Sequence, residues 1–179
     1  SLQWGRVPDL LHALPHQQEV NDMRIPILVF LLIAGSPALA MDPVSSASDP
    51  LAVYQSSEPY ADVRENLEMA ITDRGMLITN TLHISDMLQR TAADTGLEKK
   101  LYENAESLEF CSILMSYKMS LAHPANMATC PLTISIYQTA GDPNHTYIAY
   151  RRANLLGDSA AVQKALDDML DGIVSDALE

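Results

Sequence analysis

The chain is poor in basic residues and in large aromatic side chains. It has 11 Lys and Arg residues against 23 Asp and Glu residues, a formal net charge of -12, one Trp and two Phe. Such an acidic surface repels the phosphates of nucleic acids and the head groups of anionic lipids. The composition therefore excludes nucleic acid and anionic membrane surfaces from the expected partners.

A long hydrophobic run is also missing. Met23 opens the segment MRIPILVFLLIAGSPALA, whose apolar stretch covers 25–34. A membrane-spanning helix needs about 20 apolar residues, so we expect no span in the mature chain. Gly35, Pro37 and the triplet Ala38-Leu39-Ala40 follow the apolar stretch, which is the pattern of a secretory signal over 23–40.

This signal divides the chain into four parts. We expect 1–22 to be upstream or vector-derived sequence, 23–40 to be removed on export, 41–50 to form a flexible leader and 51–179 to fold as one domain. The mature protein would then be periplasmic or secreted, in a compartment where disulfides persist.

Periodicity in 51–179 predicts an α+β fold. Alternating, β-branched stretches predict strands, and apolar residues at helical spacing predict helices, one of them ended by Gly75. The predicted strands are 51–57, 76–84, 108–114, 132–139 and 145–152, and the predicted helices are 61–74, 85–95, 116–123 and one from Asp158 or Ser159 onward. We expect a mostly antiparallel sheet of about five strands with helices packed on one side.

The last helix carries acidic residues in the stretch DDMLDGIVSDALE. Helical periodicity distributes them around an outer face, and no glycine-centred calcium loop is present. The pattern therefore predicts a solvated acidic surface.

Chemistry is concentrated in 110–131, FCSILMSYKMSLAHPANMATCP. Cys111 and Cys130 can form a disulfide if their Cα atoms lie within about 7 Å, or can act as a redox pair. Met119 and His123 lie one helical turn apart, and their soft donor atoms suit copper or haem iron. The alternative is that Met119 fills core space and His123 caps a helix end.

Two cations complete the candidate residues. Lys118 and Arg151 could hold a small anion, because guanidinium groups match planar oxyanions, or they could simply be solvated charges. Ser112 and Ser116 lie near Lys118, but the Ser-x-x-Lys spacing of a nucleophile pair is absent and no third group orients a base. We therefore expect a binding role rather than an enzymatic one.

The same segment resembles an exported, proteobacterial branch of the DUF302 family. The resemblance covers 51–153 and lies in the run FCSILMSYKM, HPAN, CP, ISIYQ and TYIAYRR, preceded by RGMLI. The residues that match the motif are Ser112, Ser116, Lys118, Met119, Asn126, Cys130, Pro131, Tyr137, Tyr150 and Arg151. His123 departs from it, since an acidic residue is commoner there, so no ligand role for His123 follows from the family.

The resemblance implies a compact α+β domain that tends to form homodimers, and it implies no reaction. Together with the residues, it leads us to expect an exported, non-enzymatic binding or accessory domain. Its small ligand, a haem or an anion, would lie near 111–131. The alternative is a thiol-redox or sulfur-handling protein that uses Cys111 and Cys130.

We predict cleavage between Ala40 and Met41. The signal-like stretch ends in small residues at the positions that a signal peptidase reads. Amino-terminal sequencing of the protein from its native host should therefore begin at Met41. A cytoplasmic protein that keeps Met23 would contradict the prediction and the oxidising environment that depends on it.

Overall fold

The computed structural model describes residues 41–179, and the predicted upstream and signal segments lie outside the described residues. The elements follow the order β1 (Leu51–Ser56), α1 (Tyr60–Thr72), β2 (Ile78–His83), α2 (Ile84–Thr95), β3 (Tyr102–Phe110), α3 (Ile113–Ala122), a 3-10 helix (Pro124–Thr129), β4 (Leu132–Thr139), β5 (Asp142–Arg151) and α4 (Ala160–Leu178). None of these helices combines the length and the apolar character needed to cross a bilayer.

All five strands form one antiparallel sheet in the order β1-β5-β4-β3-β2. This confirms the predicted α+β class and its mostly antiparallel sheet. A short turn at Ala140 and Gly141 joins β4 to β5, so that the hairpin is tighter than predicted and Asp142 already belongs to the strand.

One face of the sheet carries the core. Because side chains alternate along a strand, every second residue of β1, β3, β4 and β5 points to this face, including Tyr54, Leu108, Ile134 and Tyr150, all 2 % exposed or less. Helices α1 and α4 cover it and pack against each other. The helix α2 contacts β3, but none of its described side chains belongs to the core cluster.

The boundary of β3 corrects one sequence prediction. We expected a strand over 108–114, but β3 ends at Phe110 and the α3 helix begins at Ile113. The hydroxyl of Ser112 accepts a hydrogen bond from the Met115 amide at 3.4 Å and so caps the helix. The apolar run that follows Cys111 is therefore helical, because a capping residue at its start outweighs its strand-like composition.

The acidic stretch of α4 corrects the prediction that all of its carboxylates lie on a solvated surface. Asp168 is exposed and pairs with Lys164, as a solvated face requires, but Asp171 points toward the sheet. Its Oδ1 accepts hydrogen bonds from the hydroxyls of Tyr54 on β1 and Tyr150 on β5. Burial, followed by these hydrogen bonds, raises the pKa of both tyrosines well above the usual range.

The segment before β1 runs beside that edge strand. The Val44 amide donates to the Val53 carbonyl at 2.7 Å, and the Val53 amide donates to Ser45 Oγ at 3.0 Å. Both backbone groups of Val53 on the outer side of β1 are therefore occupied by residues of the predicted leader.

The loop after β5 is fastened to the end of α3. The buried Asn126 side chain donates to the carbonyls of Met119 and Leu156, both at 3.0 Å, and accepts from the Leu156 amide at 2.8 Å. Next to it, Gly157 has a φ of +79°, and a Cβ at this position would lie 2.3 Å from the Ala122 carbonyl oxygen.

We predict that Gly157→Ala destabilises the protein. The left-handed backbone alone costs a non-glycine residue about 1–3 kcal/mol, and the contact with Ala122 adds to this cost. Urea unfolding should therefore show a free energy of unfolding lower by at least about 2 kcal/mol. Gly141→Ala is the control, because a Cβ there meets no atom within 4 Å, and it should change stability by less than about 1 kcal/mol. Equal effects of the two substitutions would contradict this account.

Candidate functional site

The two cysteines come together at the end of the sheet. Phe110 pairs with Leu132, so Cys111, which follows β3, and Cys130, which precedes β4, leave the same pair of strands. Both are free thiols, and the peptide bond between Cys130 and Pro131 is cis. The Cys130 side chain is a direct neighbour of the Cys111 thiol, and its own Sγ lies 3.0 Å from Ser116 Oγ.

The surroundings of Cys111 disfavour its thiolate. The residue is largely exposed, but partial burial of the sulfur and then the neighbouring Cys130 raise its pKa. A hydrogen bond from the Leu132 amide opposes this shift. Because the thiolate is the nucleophilic form, a raised pKa makes Cys111 less reactive at neutral pH than an ordinary cysteine.

Met119 and His123 are placed in different environments. Met119 is fully buried in the core cluster, whereas His123 is exposed and has an extended backbone after the last residue of α3. The Nδ1 atom of His123 accepts a hydrogen bond from the Ala125 amide at 3.2 Å and so caps the 3-10 helix. The two side chains are not presented to one cavity, as a shared copper or haem site would require. Within 41–179 no group of three His, Cys, Asp or Glu residues is placed to hold a metal ion.

The second face of the sheet, opposite α1 and α4, forms three rows across the strands. The middle row consists of Val53, Ala149, Ser135 and Ser107, which are paired side by side through the strand register. Three of the four are small, and the hydroxyls of Ser107 and Ser135 hydrogen-bond to each other at 2.8 Å. The middle row is therefore a shallow floor with satisfied polar groups.

An aromatic wall borders this floor on one side. Tyr137 stacks on Tyr147 with 5.3 Å between ring centroids, and Tyr102 meets Tyr137 edge-on at 5.8 Å. The Tyr147 hydroxyl donates to Asp142 at 2.7 Å, and Asp142 also holds His145 Nδ1 at 2.8 Å. The His145 and Tyr147 hydrogen bonds lower the pKa of Asp142. The ionised carboxylate thus fixes the position of the outer ring.

A cation borders the floor on the other side. Arg151 is paired with Leu51 and lies four residues along β5 from Tyr147, a separation of about 13 Å. Arg152, the next residue, has a buried Nε with no hydrogen-bond partner among the described residues. Lys118, by contrast, is exposed on α3 and does not line the cavity over this face of the sheet.

An open cavity of about 800 Å³ covers this face. It lies over the floor, Tyr102, Tyr137 and Arg151, and it reaches Arg152 and the approach to β4 at Ala128, Thr129 and Pro131. Its lining also includes the acidic Glu106 of β3, together with Tyr150 and with Leu166 and Leu170 of α4, so that the cavity extends beyond this face of the sheet. Its size is within the range of about 300–1,000 Å³ typical of small-molecule sites. The site thus combines a cationic end, a floor of small side chains and an aromatic end.

One residue predicted from the sequence, Arg151, lines this cavity. Arg151 was predicted because its guanidinium group matches planar oxyanions, and the alternation in β4 and β5 was the signal that could have shown the other residues of the cavity. Thr133, Ser135 and Tyr137 occupy alternate positions of β4, so that they share the face opposite the core. Arg152 was not among the predicted site residues, although it lines the cavity together with Arg151.

The chain matches the family described as domain of unknown function DUF302 over residues 52–177. It belongs to the DUF302 family. Among solved structures, it is similar to an uncharacterised conserved DUF302 protein from Bacillus stearothermophilus. The identity is 15% and the TM-score is 0.55, over 73% of this chain and 98% of that chain. At this identity the similarity extends to the fold alone. The comparison with curated proteins gave no match.

Proposed function

We propose that this DUF302 domain is an exported, non-enzymatic binding or accessory protein that holds a small organic anion on the second face of its sheet. The observation that supports this proposal is the cavity itself. A guanidinium group, a floor of small side chains and an aromatic wall succeed each other over about 13 Å. A carboxylate or sulfonate matches the planar fork of Arg151, and an apolar or aromatic body matches the remainder.

The other parts of the proposal have their own support. Export to the periplasm or medium is supported by the signal-like sequence of 23–40. A homodimer is supported by the family resemblance of the motif in 110–131. The position of the ligand near that motif is supported by Ala128, Thr129 and Pro131, which line the cavity beside β4.

We predict that the cavity binds 1-anilinonaphthalene-8-sulfonate, an aromatic anion whose fluorescence rises in apolar surroundings. Arg151→Gln removes a charge-assisted contact, and Ala149→Phe fills the floor. Arg151→Gln should weaken binding at least tenfold, because a charge-assisted contact contributes about 1.5–3 kcal/mol and 1.4 kcal/mol corresponds to tenfold. Ala149→Phe should weaken binding to at least the same extent, because its ring occupies the space that the dye needs.

Arg90→Gln is the matched control for charge. Arg90 is exposed on α2 and its Nε contacts only the Asp86 carbonyl in its own helix, so this variant should bind the dye as the wild type does. Equal affinity of all variants would overturn the cavity as the binding site. Native mass spectrometry of the protein purified from its native host would identify a natural ligand by its mass.

The neighbouring thiols favour a second candidate function, in sulfur or redox chemistry. In the proposed step, Cys111 and Cys130 lose two electrons and two protons to a small disulfide and join by an S–S bond. Oxidised glutathione is a suitable acceptor, and it leaves as two molecules of the reduced thiol. The raised pKa of Cys111 slows this step, because it lowers the thiolate fraction.

We predict that the two cysteines of the freshly exported protein react with a thiol reagent only after reduction. The disulfide between Cys111 and Cys130 should reform within hours of adding oxidised glutathione. Cys111→Ser and Cys130→Ser should each leave one thiol that titrates without reductant. A wild-type protein with two thiols that survive oxidised glutathione would contradict the redox function. It would leave the cavity proposal unaffected.

A further inference from the structure

The outer face of α3 is apolar and exposed. Ile113, Leu114, Tyr117 and Leu121 are 88%, 61%, 66% and 69% exposed, and Met127 of the following 3-10 helix is 69% exposed. The inner face of the same helix buries Met115 and Met119 in the core. The helix α3 is therefore apolar on both sides, which is the pattern of a helix with partners on both sides.

The size of this apolar face exceeds that of scattered surface residues. A large side chain offers roughly 200 Å², and these five are three fifths or more exposed. They leave several hundred square ångströms of nearly continuous apolar surface, and patches of this size mark interaction sites. A standard interface buries about 800 Å² on each partner, so this face supplies most of what a stable dimer needs.

The charge distribution indicates which kind of partner covers this apolar face. The protein has a formal net charge of -12, yet the stretch 110–131 contains one charged residue, Lys118, and no acidic residue. Two copies therefore repel each other over most orientations but not when these stretches meet. The same overall charge opposes an anionic membrane surface.

We propose that α3 packs antiparallel against α3 of a second copy, about a two-fold axis near Tyr117. This inference rests on the homodimer in the proposed function and assigns its interface. Ile113, Tyr117 and Leu121 follow each other at intervals of four residues over about 12 Å. An axis at the middle residue places Ile113 of each copy against Leu121 of the other, and a closed two-fold contact of this kind is the commonest oligomeric arrangement. Lys118 lies at the rim.

Sedimentation velocity on the full exported chain tests the interface. The wild type should be dimeric at micromolar concentration. Tyr117→Glu and Leu121→Glu place carboxylates at the contact and should raise the dissociation constant at least a hundredfold. Both side chains are exposed, so circular dichroism should show the fold unchanged. Leu97→Glu is the matched control, since Leu97 is 73% exposed in the segment after α2, and it should leave the dimer intact.

A cross-linking measurement tests the two-fold arrangement at Tyr117. In a protein carrying Cys111→Ser and Cys130→Ser, Tyr117→Cys should form a reducible dimer on mild oxidation, because each copy presents position 117 to the same position of the other. Leu97→Cys in the same background should stay monomeric on a denaturing gel. Cross-linking of Leu97→Cys at the same rate would overturn the two-fold arrangement.

The remaining outcomes separate this inference from the proposals on which it rests. A dimer that survives both glutamate substitutions would overturn the α3 interface and leave the homodimer standing. A wild type that is monomeric at 100 μM would overturn both. A monomer that sediments with phosphatidylcholine vesicles, and loses this binding on Tyr117→Glu, would assign the face to lipid and overturn the second copy. Dye binding in the cavity is independent of all three results.

Discussion

One carboxylate connects the helical layer to the sheet. Asp171 is carried by α4, and the two hydroxyls that reach it come from Tyr54 on β1 and Tyr150 on β5. A partly buried charge is costly unless its hydrogen bonds are made. Sliding α4 by one residue along the sheet would remove Asp171 from both hydroxyls while moving Ile173 and Val174 off the core. The apolar contacts and the polar contact therefore require the same register, which makes this the position that α4 adopts.

The consequences of this register extend to the other face of the sheet. Tyr150 is followed by Arg151, and alternation along β5 directs the arginine to the face opposite the core. The same alternation places Ala149 and Tyr147 on that face, where they form part of the floor and of the aromatic wall. The geometry of the cavity thus depends on the packing of the core face, and Tyr150, Leu166 and Leu170 belong both to that core and to the cavity lining. A ligand in the cavity would encounter a rigid surface rather than one it has to assemble.

The sequence was informative where a single local signal decides the structure. Alternation in 132–139 and 145–152 predicted the hairpin, and the apolar spacing of 63–71 predicted α1. The sequence was misleading where a residue's environment is determined by partners far away in the chain. Asp171 looks like its solvated neighbour Asp168 until two tyrosines, more than 20 and more than 110 residues away in the chain, are brought beside it. The end of β3 was missed for a local reason, because LEFCSIL is mostly apolar and only the cap at Ser112 marks the change to a helix. Nor could spacing alone have placed Cys111 next to Cys130, since their proximity depends on the pairing of β3 with β4.

The hydrogen bonds between the leader and β1 have a consequence for how the protein behaves in a crowded compartment. β1 is an edge strand, and edge strands with free backbone groups recruit strands from other molecules. Here Val44 and Ser45 occupy both outward groups of Val53, at the middle of the strand. Residues 44 and 45 thus protect this part of the edge strand from pairing with strands of other molecules. A protease that trims them would leave the core and the cavity intact and produce a species prone to assemble through its open edge.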